Sequence, residues 1–197
     1  MDTPLVSVVI PTYNSEKFLE KCLKSLRAQT YPNIEIVVVD NYSTDKTVNI
    51  AKRYADLVLL KGPERSAQVN FGVKHAGGKY IYQVDSDFLV GSTVIEESVR
   101  KCENEGFDAI LIHNTSDPTI SFWSKTRNLE RECYRDDELN VAARFVRKDV
   151  FENIGGFDES LVAAGDYDLH NKLSKTGYRI GRTIAQEIHI GEPTSLW

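Results

Sequence analysis

Short apolar runs alternate with longer amphipathic stretches through the first 112 residues, and this alternation constrains the fold more than any other feature. Short apolar runs are typical of buried strands, whereas apolar residues at every third or fourth position lie on one helix face. Alternating strands and helices form an α/β, mostly parallel sheet with helices on both faces. Strands are predicted over residues 5–10, 34–39, 57–60, 79–84 and 107–112, and helices over residues 15–29, 44–54, 65–76 and 91–102.

Residues 113–197 are less regular, and we expect them to complete the same domain rather than to form a second one. A length of 197 residues suits one domain with a sizeable core. Because the sequence ends abruptly at Trp197, we also expect the natural protein to continue past this residue. Helices are predicted over residues 121–138 and 166–175, strands over residues 141–146 and 184–190, and a turn over residues 154–159.

Composition excludes several classes of protein. A formal net charge of −5 argues against nucleic acid as the main partner. No apolar run approaches the ~20 residues of a membrane-spanning helix, and the N-terminus lacks a signal-peptide pattern. Cys22, Cys102 and Cys133 are widely spaced and odd in number, so they predict neither a zinc site nor paired disulfides. We therefore expect a cytoplasmic protein.

Polar clusters follow three of the predicted strands at the point where each strand ends. They occupy residues 12–14, 40–41 and 85–87. Ligands of open parallel sheets bind beyond the carboxyl ends of the strands. The sequence therefore predicts that all three clusters line one crevice.

The segment YIYQVDSDFLV, residues 80–90, carries two carboxylates in an otherwise apolar stretch. Like charges this close repel each other, so a pair that stays ionised needs a cation. Asp85 and Asp87 are two positions apart, and on an extended segment their side chains point the same way. Carboxylate oxygens suit Mg²⁺ or Mn²⁺, which complete their ligand shell with phosphate and water. The alternative is a surface turn with solvated acids.

Several motifs in order resemble family 2 glycosyltransferases, which have the GT-A fold. VSVVIPTYNSEKFLEKCLKSLRAQTYPNIEIVVVDNYSTDKT, residues 6–47, resembles the N-terminal half of that family, and DSD at residues 85–87 looks like its DxD motif. GGFDE at residues 155–159 and GDYDLHNKLSKTGYRI at residues 165–180 resemble its acceptor-side region. The resemblance covers nearly the whole chain. It implies a Rossmann-like central sheet, with residues 1–112 binding a nucleotide sugar and residues 113–197 forming a smaller acceptor-side region.

The resemblance assigns roles on the donor side. It makes Asp87 the direct ligand of Mn²⁺ or Mg²⁺ and places Asp85 on the ribose or a metal-bound water. His189 would complete the metal site, as in some relatives, or be a packed or exposed histidine. Many relatives carry Asp-Asp where this chain has Asp40 and Asn41, so the base stays open between UDP and GDP. The residues assigned to the nucleotide sugar are Pro11, Thr12, Tyr13, Asp40, Asn41, Arg65, Asp85 and Ser86.

The resemblance also assigns the acceptor side. Asp166 matches the family's general base, which removes the proton of the acceptor hydroxyl. Relatives commonly have Glu at the position of Gly165, a departure that bears on the acceptor. The alternative for Asp166, and the preferred role for Asp168, is capping of the following helix. Basic side chains at residues 125, 127, 131 and 135 either form a solvated face, which we favour, or meet a phosphorylated acceptor.

The leading interpretation is an inverting, metal-dependent glycosyltransferase that uses a UDP- or GDP-sugar. Its acceptor would be a glycan, a lipid-phosphate or a protein, with no role for nucleic acid. A C-terminal part beyond Trp197 could hold the protein at the cytoplasmic face of a membrane. One alternative is a sugar nucleotidyltransferase, although PTYNSEKF lacks the glycine-rich, basic signature of that class. The other is a sugar-nucleotide-binding or interaction module without activity.

Overall fold

The computed structural model describes residues 3–135, 142–161 and 165–193. Strands and helices alternate through the first half, as the sequence predicts. In chain order the elements are β1 (Val6–Thr12), α1 (Leu19–Arg27), β2 (Ile34–Asp40), α2 (Thr47–Tyr54), β3 (Leu57–Leu60), α3 (Arg65–His75), β4 (Tyr80–Gln83), β5 (Phe88–Val90) and α4 (Val94–Glu105). They continue with β6 (Ala109–Leu111), β7 (Asn114–Ser116), α5 (Phe122–Cys133), β8 (Ala143–Arg147), α6 (Lys148–Asn153), α7 (Gly165–Lys175), β9 (Ile180–Arg182) and β10 (Glu187–His189).

Seven strands form the central sheet in the order β3-β2-β1-β4-β8-β6-β9. The strand pairs are parallel except for the two that contain β8, which runs antiparallel to β4 and β6. The prediction of a mostly parallel sheet flanked by helices is therefore confirmed.

β1 is buried along its whole length because the core has a layer on each face of the sheet. Val8 and Ile10 lie in one apolar cluster with Leu23 of α1, whereas Val9 lies in the other with Val69 of α3. Successive strand residues point to opposite faces. Burial on both faces explains why the run is continuously apolar rather than alternating.

α3 lies very close to the sheet. A Cβ atom at Gly72 would lie 2.5 Å from Val9 Cγ1 and 2.9 Å from Val39 Cγ2, so a larger residue would displace buried neighbours. One turn earlier, Gln68 Nε2 donates to Thr12 O (3.0 Å) and Val39 O (2.6 Å). These contacts fix the start of α3 at the carboxyl ends of β1 and β2.

A second, three-stranded sheet in the order β5-β10-β7 was not expected. β10 runs antiparallel to β5 and parallel to β7, which aligns His189 with Phe88 and with Ser116. The predicted strand over residues 184–190 is only three residues long in the structure, and no strand was predicted over residues 88–90 or 114–116. Strands of three residues are too short to show a periodic pattern.

In the first half, α1 begins at Leu19 rather than at residue 15, α2 begins at Thr47 rather than at residue 44, and α4 spans Val94–Glu105 rather than residues 91–102. The other differences lie in the second half. α6 and β9 were not predicted, and the helix predicted over residues 121–138 ends at Cys133. Residues 136–138 of that prediction lie outside the described residues, as does Val141 of the predicted strand that corresponds to β8. Within the three described ranges, no helix is long and apolar enough to cross a membrane.

Candidate active site

The carboxyl ends of β1, β2 and β4 lie at one edge of the central sheet. Thr12 is aligned with Asp40 across β1 and β2, and Asp85 follows β4 by two residues. The start of α7 brings Asp166 to the same edge, where its carboxylate lies 3.1 Å from Arg65 Nη1. The structure therefore brings together predicted residues from both halves of the chain.

Asp85 is held by two arginines. Arg65 Nε donates to its Oδ1 (2.8 Å), and Arg144 Nη1 donates to its Oδ2 (3.1 Å). Burial alone would raise the pKa of Asp85, but the charges of Arg65 and Arg144 outweigh it and hold this pKa well below its usual range. Asp85 is thus an ionised carboxylate whose charge is balanced by the protein itself.

Arg144 is a site residue that sequence reasoning missed. Besides Asp85, it lies near Glu187 (Nη1 to Oε2, 3.6 Å) and Asp166 (Nη2 to Oδ2, 3.9 Å), and its guanidinium lies 5.0 Å from the centre of the Phe88 ring. Burial would lower the pKa of Arg144, but the charges of Glu187, Asp85 and Asp166 raise it above its ordinary value. The available signal was an arginine, Arg144, between the apolar residues Ala143 and Phe145 of β8.

Glu187 lies beneath this cluster with no solvent exposure. Its Oε1 accepts a hydrogen bond from the Tyr82 hydroxyl. Burial raises the pKa of Glu187 to about 7, although the Arg144 charge and the Tyr82 hydrogen bond act in the opposite direction. Sequence reasoning missed this residue too, because a lone glutamate in a short strand resembles a surface position.

Asp87 and His189 form a second charged group beside the first. His189 Nε2 lies 2.9 Å from Asp87 Oδ2, and its Nδ1 lies 2.8 Å from Glu192 Oε1. Burial would lower the pKa of His189, but hydrogen bonds to the two carboxylates outweigh it and raise this pKa. Glu192 is buried and also accepts from Ser116 Oγ (2.6 Å), so it fixes the orientation of the imidazole ring.

The donor atoms of this group fit a divalent cation. Carboxylate and imidazole are both ligands of Mn²⁺-type metals, and a carboxylate behind the imidazole is a common second partner. A Cβ atom at Gly191 would lie 2.3 Å from Asp87 Oδ2, so the glycine leaves room for this carboxylate. No cluster of three or more His, Cys, Asp or Glu side chains within the described ranges could hold a metal alone. The pair therefore fits an open site that takes further ligands from a diphosphate and water.

Asp40 is fully buried, and its carboxylate is occupied by donors of the protein. It accepts from Thr12 Oγ1 (2.9 Å), Ser43 N (2.7 Å) and Ser43 Oγ (2.6 Å). Asn41 Nδ2 donates to Pro63 O (2.8 Å). These bonds order the two segments that follow β1 and β2.

The remaining predicted donor-side residues lie along the same edge. Tyr13 is 62% exposed, and Tyr42, which was not predicted as a site residue, is 64% exposed. Ser86 Oγ donates to Ser15 Oγ (3.0 Å), and Pro11 is buried within β1. The two exposed tyrosine rings follow neighbouring parallel strands, where a flat ligand could stack on them.

A cleft of about 120 Å³ adjoins Asp166 on the side of α5. Arg144 and Asp166 form one part of its lining, and Arg131, Asn114 and Tyr134 form another. Farther along α7, Asp168 pairs with Lys172 (2.7 Å) and lies away from the two arginines that contact Asp166. Asp166 is thus the acid of α7 that faces both the cleft and the sheet edge.

The basic residues of α5 and Arg135, which follows it, do not act as one surface. Arg127 and Arg135 pair with glutamates of the same segment, which agrees with the favoured solvated face. Arg131 differs, because it turns inward to Thr115 O (3.0 Å) and Glu192 (3.3 Å). The solvated-face prediction is therefore wrong for Arg131, which braces Glu192 behind His189.

Comparison with known sequences identifies a family. Residues 7–158 match the profile described as Glycosyl transferase family 2. The chain is 30% identical over 203 residues to glycosyltransferase AglE of Haloferax volcanii, covering 94% of this chain and 66% of AglE. It is 30% identical over 187 residues to an uncharacterized glycosyltransferase of Rickettsia typhi, covering 87% of this chain and 59% of that protein. The chain thus spans about 60–66% of the length of these relatives.

Two solved structures share the fold. TarS 1–349 of S. aureus in complex with UDP-GlcNAc has a TM-score of 0.79 and 24% identity, covering 97% of this chain and 60% of that one. The mannosyltransferase PcManGT from Pyrobaculum calidifontis in complex with GDP-Man and Mn²⁺ has a TM-score of 0.76 and 23% identity. This match covers 96% of our chain and 57% of that one. Both likenesses confirm the expected GT-A fold.

Proposed function

Because this chain belongs to glycosyl transferase family 2, we propose that it transfers a sugar from a UDP- or GDP-sugar to an acceptor hydroxyl, with inversion at the anomeric carbon. The observation that carries the proposal is the contact of Arg65 with both Asp85 and Asp166. The guanidinium of Arg65 thus contacts both the acid expected on the donor side, Asp85, and the expected general base, Asp166. Donor and acceptor bound on either side of this contact would have their reacting atoms close together.

The nucleotide would lie along the edge formed by the segments after β1 and β2. The exposed ring of Tyr13 offers a stacking surface for the base, and Asn41 offers an amide to its polar edge. Asp40 would act by ordering Thr12 and Ser43, since its oxygens already accept hydrogen bonds from them. Pro11 and Ser86 would shape the same loop region.

Asp87 and His189 would hold Mn²⁺ or Mg²⁺, with Asp85 near the ribose or a metal-bound water. When bound, such a cation supplies charge stabilisation to the departing diphosphate. Arg65 is 36% exposed, so its fork of donors can turn toward diphosphate oxygens. That movement would release the Asp166 carboxylate from its contact with Arg65.

Asp166 would act as the general base. It takes the proton of the acceptor hydroxyl while that oxygen bonds to the anomeric carbon and the bond from this carbon to the diphosphate breaks. A single displacement of this kind inverts the anomeric configuration. The acceptor would enter through the cleft beside Asp166. Gly165, where relatives have Glu, is buried, and a Cβ atom there would lie 3.1 Å from Ser66 Oγ.

The acceptor classes we propose are a glycan or a protein, whose hydroxyl Asp166 would deprotonate, and a lipid-phosphate, whose ionised phosphate oxygen would need no base. We propose a cytoplasmic location, at the cytoplasmic face of a membrane if the acceptor is a lipid-phosphate. Residues 1–112 would bind the donor and residues 113–197 the acceptor within one domain.

The decisive experiment combines donor binding and transfer. Calorimetry with UDP-GlcNAc and GDP-Man, each with and without Mn²⁺, should show metal-dependent binding of one donor that is lost in Asp87→Asn. Asp166→Asn should abolish transfer and keep donor binding. Asp168→Asn, on the same helix but paired with Lys172, should keep both. Failure to bind any nucleotide would overturn the proposal. Binding without transfer would favour a non-catalytic module. Synthesis of a nucleotide sugar would favour a nucleotidyltransferase.

A further inference from the structure

Arg144 lies where the donor and acceptor sides of the site meet, and no step of the proposed reaction uses it. β8 carries it between β4 and β6, and its side chain is only 10% exposed. Arginine is almost never buried this deeply unless it is paired. The burial of this positive charge therefore has to be explained by the groups around it.

Three carboxylates from different parts of the chain surround its guanidinium. They belong to Asp85 (3.1 Å), Glu187 (3.6 Å) and Asp166 (3.9 Å). A guanidinium is planar and presents its donors in fixed directions, whereas a lysine ammonium is a point charge on a flexible stem. The Phe88 ring also packs against the guanidinium, which limits its rotation. Arg144 is thus suited to hold carboxylates in fixed relative positions.

Arg65 contacts two of the same carboxylates but differs in exposure. Arg65 is 36% exposed and can leave Asp85 for a bound diphosphate, whereas Arg144 is only 10% exposed. Once Arg65 has moved, Arg144 remains as the buried cation next to both Asp85 and Asp166.

Resting on the proposed function, we propose that Arg144 is a positioning residue that fixes the separation of Asp85 on the donor side and Asp166 on the acceptor side. Glu187 is the counter-charge that anchors Arg144, and the Tyr82 hydroxyl in turn holds Glu187. Because a misplacement of ~1 Å can lower a rate about 100-fold, loss of this anchor affects the chemical step more than donor binding.

The first test compares variants of two arginines on β8. Arg144→Met should lower kcat about 100-fold while the KM of the donor changes far less, and Arg144→Lys should recover part of kcat. Arg147→Met is the matched control, because Arg147 lies on the same strand but pairs with Asp149 and Asp108 at the surface. It should keep the kcat of the unmodified protein.

A second variant separates positioning from folding. Arg144→Met removes the cation that opposes the effect of burial, so the pKa of Glu187 rises further and its carboxyl stays protonated in the folded protein; this is destabilising at neutral pH, because the same carboxyl ionises on unfolding. The double variant Arg144→Met/Glu187→Gln removes this titratable group, so it should melt at a higher temperature than Arg144→Met and still have a low kcat. Recovery of kcat in the double variant would overturn the proposal.

Crystal structures of Arg65→Ala and of Arg65→Ala/Arg144→Met/Glu187→Gln, in which Arg65 no longer joins the two carboxylates, give a readout that does not depend on activity. The Asp85 and Asp166 carboxylates should be displaced relative to each other in the triple variant. Unchanged positions would overturn the positioning role. If the unmodified protein transfers no sugar to any acceptor, the proposed function fails, and the crystallographic comparison still decides the role of Arg144.

Discussion

Gly72→Ala tests how closely α3 packs on the sheet, which sets the position of Arg65. Alanine is more favourable than glycine inside a helix by about 1 kcal/mol. The added methyl would lie 2.5 Å from Val9 Cγ1 and 2.9 Å from Val39 Cγ2. Overpacking of a tight core costs about 1–3 kcal/mol of stability. Because the added methyl would make two short contacts, we expect a cost near the upper end of this range. We expect urea unfolding to show a net loss of about 1–2 kcal/mol.

A double-mutant cycle identifies the cause. Val9→Ala removes the nearest methyl, so Gly72→Ala should cost less in that background, with a coupling of about 1 kcal/mol. Gly77→Ala is the matched control, because its Cβ would meet its nearest neighbour, Glu35 Oε1, at 3.6 Å. A Gly72→Ala protein as stable as the unmodified one, or strict additivity with Val9→Ala, would refute the reasoning.

Two further predictions concern the scaffold of the site. Gln68→Leu removes the side-chain donor to two buried carbonyls, of which Thr12 O keeps the Asn41 N–H (2.8 Å), and should lower the unfolding free energy in urea by about 1–3 kcal/mol. Asn49→Leu on the exposed surface of α2 should change it by less than ~0.5 kcal/mol, and equal effects would contradict the buried hydrogen bonds. Cys133 is exposed whereas Cys22 and Cys102 are buried, and burial, with nearby acids, raises the pKa of Cys102 to about 12. Ellman's reagent should therefore react rapidly with one thiol, and Cys133→Ser should remove that phase; its persistence in the variant would contradict the burial of the other two.

The central sheet could be predicted because its strands are buried on both faces. β1 and β2 read as continuous apolar runs, and each carries a polar cluster at its carboxyl end. The small sheet could not be predicted, because β5, β7 and β10 have three residues each. Pairing partners, rather than local sequence, define strands of that length.

The charged residues of the site were predictable to different degrees. Asp85 and Asp87 stood out because acids interrupt an apolar stretch. Arg144 gave little signal, because its contact with Asp85 joins residues 59 positions apart and Arg144 looks unremarkable beside its own neighbours. The sequence also gave no indication that Asp40 would be saturated by hydroxyl and backbone donors.

The short sheet that joins β5 to β10 has a consequence for the order in which the protein gains activity. Asp87 and His189 are 102 positions apart, and Arg65 and Asp166 are 101 apart. Closing loops of this length is entropically unfavourable and slow compared with local helix formation. A nascent chain would therefore fold β1 to β4 long before His189 and Asp166 are available. On the ribosome, the Arg65–Asp166 and Asp87–His189 contacts would form only after residues 166 and 189, respectively, have been synthesised.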